Sequence, residues 1–114
     1  MPTPRLDRRI THGTARNALG LALDDPHIMC ADGFCLSVLA PAPADVLLLP
    51  AQTLEIGFPT RRPEPWDTWS TYLDPGSEDD DPTESVYLNV PVALVRDLIE
   101  AHGGEAPPIP HQRS

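Results

Sequence analysis

The chain has 114 residues, the usual length of one small domain, and its 15 prolines and 7 glycines are a high share but below that of a fully disordered chain. Hydrophobic residues make up 40% and aromatic residues only 5%, so we expect a modest core built mainly from Leu, Val and Ile. Pro, Asp or Gly interrupts every apolar run, which argues against a membrane span of about 18 apolar residues.

The charge is unevenly distributed. Of the net charge of −9, the residues up to Arg16 contribute four Arg and one Asp, whereas the rest of the chain carries four Arg and sixteen acids. A body this negative repels nucleic-acid phosphates, so direct DNA or RNA binding is disfavoured. Two cysteines are too few to stabilise a fold of this size by disulfide bonds. The sequence also has no secretory signal pattern, so we expect a cytoplasmic protein.

Residues 1–26 give two predictions, an arm and a short helix. Residues 1–14 contain two prolines and three Arg without periodicity, which predicts a flexible basic arm. Residues 14–23 fit either a helical stripe or the strand-like alternation of Leu19, Leu21 and Leu23, and we favour a short helix with Thr14 as its N-cap. The turn at residues 24–26 ends it.

The central region predicts strands. Asp32-Gly33 favours a tight hairpin turn between residues 28–31 and 34–39, with Phe34, Leu36 and Val38 on one face. After a proline connector at 41–45, a second strand region covers residues 46–58 with a break at Pro50. There Leu54, Ile56 and Phe58 alternate with polar or small residues, which predicts one buried face.

Residues 59–84 carry five prolines and eight acids, and a loop of this length is either functional or disordered. Residues 85–90 then predict a strand with Val86, Leu88 and Val90 on one face and Tyr87 and Asn89 on the other.

The C-terminal region contains the clearest helix. Residues 91–102 place an apolar stripe on one face, Pro91 suits the first turn, and Gly103 supplies a left-handed C-cap. The stripe consists of Leu94, Val95, Leu98 and Ile99. The tail at 104–114 has three prolines and no periodicity, which predicts disorder.

Together these elements predict an α+β fold. We expect a small antiparallel sheet of three to four strands packed by one C-terminal helix, with a long Pro/acid-rich loop and flexible termini. The chain divides into an arm at 1–14, a single domain at 15–103 and a tail at 104–114. The predicted apolar seam joins Phe34, Ile56, Leu88 and Leu98.

Several short segments carry a resemblance. Residues 31–38 read ADGFCLSV, 54–60 LEIGFPT, 81–87 DPTESVY, 90–95 VPVALV and 98–104 LIEAHGG. This series resembles a group of small, mostly uncharacterised phage and prophage proteins with ADGFxLSV, VEVGFPS, PTxxVY, VPVEVV and LIxxHGG segments. The chain departs from that pattern in its longer arm and in the loop at 61–81. The resemblance implies a mobile element in a bacterial host and implies no reaction.

The aromatic loop is the candidate partner-binding site. Arg61, Arg62, Trp66, Trp69 and Tyr72 share it, and Trp and Arg are favoured at binding hot spots. The alternative is that both indoles cover the open face of a thin sheet.

Metal binding and catalysis are weaker interpretations. His27, Cys30 and Cys35 have the spacing H-x2-C-x4-C, but a structural zinc site needs four ligands, so we predict no metal site and no cofactor. Cys30 and Cys35 also suit buried positions. A capping role at a helix C-terminus explains His102, so we predict no catalytic residues and favour a protein that is not an enzyme.

Three functions remain open. The first is a non-enzymatic accessory protein that binds a host or phage protein through residues 61–72 and the acidic segment after them. The second is an acidic DNA mimic that inhibits a host nucleic-acid-binding protein. The third is a small metal-dependent enzyme that uses His27, Cys30 and Cys35.

Overall fold

The computed structural model describes residues 3–76 and 81–107. Those residues form four strands and three α-helices. The strands are β1 (His27–Met29), β2 (Cys35–Leu39), β3 (Thr53–Gly57) and β4 (Val86–Pro91). The helices are α1 (Pro4–His12), α2 (Trp66–Trp69) and α3 (Val92–Ala101). None of the helices described is both long and apolar enough to cross a lipid bilayer.

The strands form one antiparallel sheet in the order β1-β2-β3-β4, so each strand pairs with its neighbour in sequence. Asp32 and Gly33 make the predicted β1–β2 turn, where Gly33 has a left-handed φ of +93° that glycine adopts without strain. Ile28 pairs with Leu36 across this hairpin. The predicted α+β fold and its first hairpin are confirmed.

One face of the sheet forms the core with α3. Phe34, Leu36 and Val38 are fully buried, as their alternation predicts, and Leu54 and Ile56 of β3 lie among them. The α3 stripe packs on this face with three buried side chains and one partly buried one. These are Val95, Leu98 and Ile99, and Leu94.

The C-terminal end of α3 has the predicted glycine cap. Gly103 has a φ of +92°, and its amide donates to the carbonyl of Glu100 at 3.0 Å. The amide of Gly104 donates to the carbonyl of Ile99 at 2.9 Å. These two bonds form a Schellman motif, which satisfies carbonyls that a helix end leaves unpaired.

The prediction for the faces of β4 is wrong. Leu54 pairs with Val90 and Ile56 pairs with Tyr87, so the register shifts by one residue. Asn89 lies in this bulge with a left-handed φ of +56°. An extra residue reverses the alternation, so Tyr87 is fully buried. Leu88, which we placed in the apolar seam, is only partly buried.

The second strand region is shorter than predicted. Residues 46–48 form an exposed 3₁₀ turn, and β3 begins only at Thr53. Phe58 has a left-handed φ of +49° and is 55% exposed, which contradicts its predicted place on the buried face. The chain leaves the sheet at that residue, and the next one, Pro59, is buried instead.

The predicted flexible arm contains helix α1, which packs on the domain. Leu6 is fully buried. The carboxylate of Glu105 accepts hydrogen bonds from the amides of Arg5 at 3.0 Å and Leu6 at 2.9 Å. Arg96 of α3 donates to Asp7 at 2.6 Å. These partners lie far away in sequence, so local periodicity gave no sign of them.

Residues 14–23 form a tight hairpin, so the predicted short helix is wrong. Arg16 and Ala22 make an antiparallel bridge, and Gly20 has a φ of +82°. The side-chain oxygen of Asn17 accepts from the amides of Leu19 at 2.8 Å and Leu21 at 3.1 Å. An Asn side chain that bonds nearby amides stabilises a turn at the expense of a helix.

Short segments cover both edges of the sheet. Glu105 bridges Cys30 just beyond β1, and the amide of Ala106 donates to the carbonyl of Met29 at 2.8 Å. Leu73 bridges Tyr87 on the outer side of β4. The tail predicted to be disordered is therefore ordered over residues 104–107. The rest of that prediction, residues 108–114, lies outside the described residues, as do residues 1–2 and 77–80.

Candidate functional site

Trp69 of the predicted binding loop belongs to the core. It lies at the end of α2, is fully buried, and meets Tyr87 edge to face with 5.5 Å between ring centroids. Its indole Nε1 has no hydrogen-bond partner among the residues that the structure describes. Trp69 therefore covers the sheet, as the alternative for the indoles states, and it presents no surface to a partner.

Trp66 lies closer to the surface and is half-buried. Its ring meets Tyr87 edge to face at 6.3 Å, and the guanidinium of Arg62 lies 5.6 Å above it. Arg62 also donates to Glu64 at 2.8 Å. Stacking and pairing of this kind hold Arg62 in place, so Arg62 and Trp66 present one small, ordered surface.

The remaining loop residues lie apart from Trp66. Arg61 is exposed and reaches to 3.9 Å from the carboxylate of Asp32 at the β1–β2 turn. Tyr72 is partly buried against the core. A contact between a partner and Arg61, Arg62, Trp66 or Tyr72 stays a prediction.

His102 holds the β1–β2 turn in position. Its ring stacks on Phe34 with 3.9 Å between centroids and 7° between planes, and its Nδ1 lies 2.7 Å from Asp32 Oδ2. The backbone amide of Phe34 and the imidazole of His102 both bond to Asp32, which lowers the pKa of that carboxyl. Among the described residues, no Ser, Thr or Cys side chain hydrogen-bonds to a histidine. Sequence reasoning missed this pairing because 70 residues separate the two side chains.

The three residues considered for zinc do not form a ligand set. His27 Nδ1 lies 2.6 Å from Asp25 Oδ1, and both Cys30 and Cys35 are free thiols, of which only Cys30 is buried. Burial raises the pKa of the Cys30 thiol to about 11. Over residues 3–76 and 81–107, no three His, Cys, Asp or Glu side chains come together as a metal site.

Among the residues that the structure describes, the most exposed large aliphatic side chains lie in two other segments. Six aliphatic side chains of the 14–23 hairpin and the 46–48 turn are each at least 60% exposed, and Leu47 reaches 97%. We call this set the leucine surface. It comprises Leu19, Leu21, Leu23, Val46, Leu47 and Leu48.

The two segments of the leucine surface start at one contact between residues 14–16 and 40–41. The amide of Thr14 donates to the carbonyl of Pro41 at 2.9 Å, and Arg16 donates to the carbonyl of Ala40 at 2.7 Å. The contact at Gly13 is so close that a Cβ there would lie 2.4 Å from the carbonyl oxygen of Pro41, so only glycine fits. This packing fixes the base of the hairpin beside the connector that leads to residues 46–48.

Comparison with known proteins adds no assignment: no family model, no curated protein and no solved structure matches this chain.

Proposed function

We propose that this chain is a non-enzymatic accessory protein of a phage or prophage, and that it acts by binding a protein partner through the leucine surface. The observation that carries the proposal is the exposure of six aliphatic side chains in two segments that start from one hydrogen-bonded contact between residues 14–16 and 40–41. Clusters of exposed apolar side chains in soluble proteins mark interaction sites. The phage or prophage setting is supported by the sequence resemblance.

The fold does not need these side chains. Backbone bonds and the Asn17 side chain hold the hairpin, with Asn17 donating to the carbonyl of Leu21 at 2.8 Å and Gly20 donating to that of Asn17 at 2.9 Å. The leucines therefore contribute little to folding. Buried in a complex, each contributes about 1.5–3 kcal/mol, so six together offset much of an association cost of about 4–15 kcal/mol.

Charge defines the chemistry of the partner. Exposed carboxylates flank both apolar segments: Asp24 and Asp25 follow the hairpin, and Asp45 precedes the 46–48 turn. The whole chain carries a net charge of −9. A matching partner offers an apolar groove with a basic rim, since complementary rim charges speed association and reject wrong partners.

Photo-crosslinking of the intact chain tests this function. A photoreactive amino acid replaces Leu47, and the control carries it at Thr68, which is exposed on α2. In lysate of a bacterial host, the Leu47 probe is expected to give one discrete adduct that the Thr68 probe does not give. An excess of unlabelled protein should compete for that adduct, whereas the Leu19→Ser/Leu47→Ser variant should not.

Three results would contradict the proposal. If the Trp66→Ala variant no longer competes for the adduct while Leu19→Ser/Leu47→Ser still does, the partner contacts the aromatic loop instead of the leucine surface. Salt-sensitive binding that both variants retain favours the DNA-mimic alternative. A concentration-dependent dimer of the wild-type chain, absent from Leu19→Ser/Leu47→Ser, assigns the leucine surface to a second copy.

A further inference from the structure

A cleft of about 690 Å³ lies between α1 and the loop that leads into β1. One wall is formed by Arg5, Arg8 and Arg9, and Asp25 and His27 line the cleft beyond them. Small-molecule sites occupy about 300–1,000 Å³, so the cleft has the size of a ligand site. It lies apart from the aromatic loop and does not include the exposed leucines.

Two of the three arginines are free to bind a ligand. Arg5 and Arg8 lie one helical turn apart, so they share a face of α1. Both are exposed, and neither side chain has a hydrogen bond or ion pair within the described residues. Two guanidiniums on one helix face, neither of them in an ion pair, suit an anion because each offers a planar set of donors.

Arg9 adds positive charge without a carboxylate in contact. Its guanidinium donates to the carbonyls of Pro26, Asp25 at 3.0 Å and Val38 at 3.1 Å. Burial lowers the pKa of Arg9, and the nearby Asp25 counteracts this. Arg9 thus anchors α1 to residues 25–26 and to β2, and it lines the cleft.

Two of the carboxylates near the cleft already accept hydrogen bonds from this chain. Asp25 accepts from both the amide and Nδ1 of His27, at 3.0 Å and 2.6 Å, and these bonds lower the pKa of Asp25. Asp24 is the other acid in the lining. The charge of Glu105 also acts on Arg9, so three guanidiniums stand near three carboxylates, of which Asp25 and Glu105 already accept hydrogen bonds.

The cleft also has an apolar part. Met29 and Cys35 face each other across β1 and β2 and contribute to the lining. Met29 is 51% exposed, and a methionine side chain adapts to ligands of varied shape. The apolar part of a ligand can lie here while its charged part reaches the arginine wall.

We propose that this cleft binds a small organic phosphate ester. The phosphate lies between Arg5 and Arg8, and the organic part lies over Met29 and Cys35. A phosphate monoester is favoured over a single carboxylate because its charge and three free oxygens match two guanidiniums. The proposal is independent of the leucine surface, since none of these four residues belongs to it.

NMR titration of the uniformly ¹⁵N-labelled full chain tests the site, with adenosine 5′-monophosphate (AMP), adenosine and inorganic phosphate as the probes at low ionic strength. AMP is expected to shift the amides of Thr14, Asp25, His27, Met29 and Cys35, with weaker binding of the other two probes. The Arg5→Ala/Arg8→Ala variant should bind AMP at least about tenfold more weakly, because both charge-assisted contacts are lost. Arg61→Ala/Arg62→Ala removes the same charge elsewhere and should bind AMP as the wild type does.

The variants allow a clear decision. Amide shifts outside the cleft that match the wild type show that each variant is folded, and the exposed positions of all four arginines favour this. Equal loss of AMP binding in both double variants indicates attraction by net charge alone and overturns the site. So does an absence of shifts in the cleft, or inorganic phosphate that binds as tightly as AMP.

Discussion

Glu105 is predicted to hold the N-terminal helix on the domain. The first amides of a helix have no partner within the helix, and Thr3, the N-cap residue of α1, makes no side-chain capping bond. The two carboxylate oxygens of Glu105 instead accept from the amides of Arg5 and Leu6. Glu105, about a hundred positions further along the chain, thus caps the N-terminus of α1 in place of a neighbouring residue.

The size of the effect follows from these two bonds. Loss of a capping side chain costs about 0.5–2 kcal/mol, and loss of a negative charge at a helix N-terminus costs about 0.3–1 kcal/mol. The bond to Arg5 is exposed to solvent and the bond to Leu6 is part-buried, so we expect Glu105→Ala to lower the free energy of unfolding by about 1–2 kcal/mol. Glu105→Gln keeps one acceptor oxygen and should lose about half as much.

Urea denaturation gives the free energy of unfolding, and hydrogen exchange of the α1 amides shows where the loss occurs. Asp97→Ala is the matched control, because it removes an acid from an exposed position on α3 and should change stability by less than about 0.5 kcal/mol. The reasoning fails if Glu105→Ala matches this control and the α1 amides keep their protection.

Three further predictions concern the core and the titratable groups. Trp69→Ala should lower the free energy of unfolding by about 3–5 kcal/mol and Trp66→Ala by less than half of that, because only Trp69 is fully buried; equal losses in urea denaturation would contradict this. Iodoacetamide should modify Cys35 before Cys30, as read by mass spectrometry, because Cys30 is buried and its pKa is raised to about 11; faster modification of Cys30 would show that β1 opens readily. Hydrogen bonds from the backbone amide of Phe34 and from the imidazole of His102 hold the pKa of Asp32 below its ordinary value of 3.8. The ionised Asp32 therefore stabilises the fold above pH 3.8, and this stabilisation is lost as the pH falls through the lower pKa of the folded state. Asp32→Asn should therefore flatten the acid side of the stability profile, and an unchanged profile would refute the role of this carboxylate.

The parts of the fold that sequence predicts well depend on short-range chemistry. The Asp32-Gly33 turn needs only a residue that tolerates a left-handed backbone, and Gly33 adopts that conformation in the structure. Helix α3 needs only an apolar stripe and a terminal glycine, and its bounds fall within one residue of the prediction. In both cases neighbours within a few positions supply the signal.

The parts that sequence misses depend on distant partners or on a single irregular residue. Helix α1 gains its stability from Leu6 in the core and from Glu105, neither of which its own periodicity reveals. At Asn89 one residue with positive φ exchanges the inner and outer faces of β4. For the candidate site, composition marked Trp66 and Trp69 alike, and only packing separates them. The sequence favours a helix at residues 14–23 and places residues 46–48 in a strand region, because an exposed apolar pattern and a buried one have the same sequence periodicity.

The covered edges of the sheet have a consequence for handling the protein in solution. A bare outer strand offers unpaired amides and carbonyls to any other chain and promotes amyloid-like stacking. Here the short bridge at Glu105 occupies the position just beyond β1, and Leu73 occupies the outer side of β4. A fragment that ends before Glu105 would leave the β1 edge of the sheet uncovered in a chain that already exposes several leucines. We expect such a fragment to precipitate at concentrations at which the full chain stays in solution.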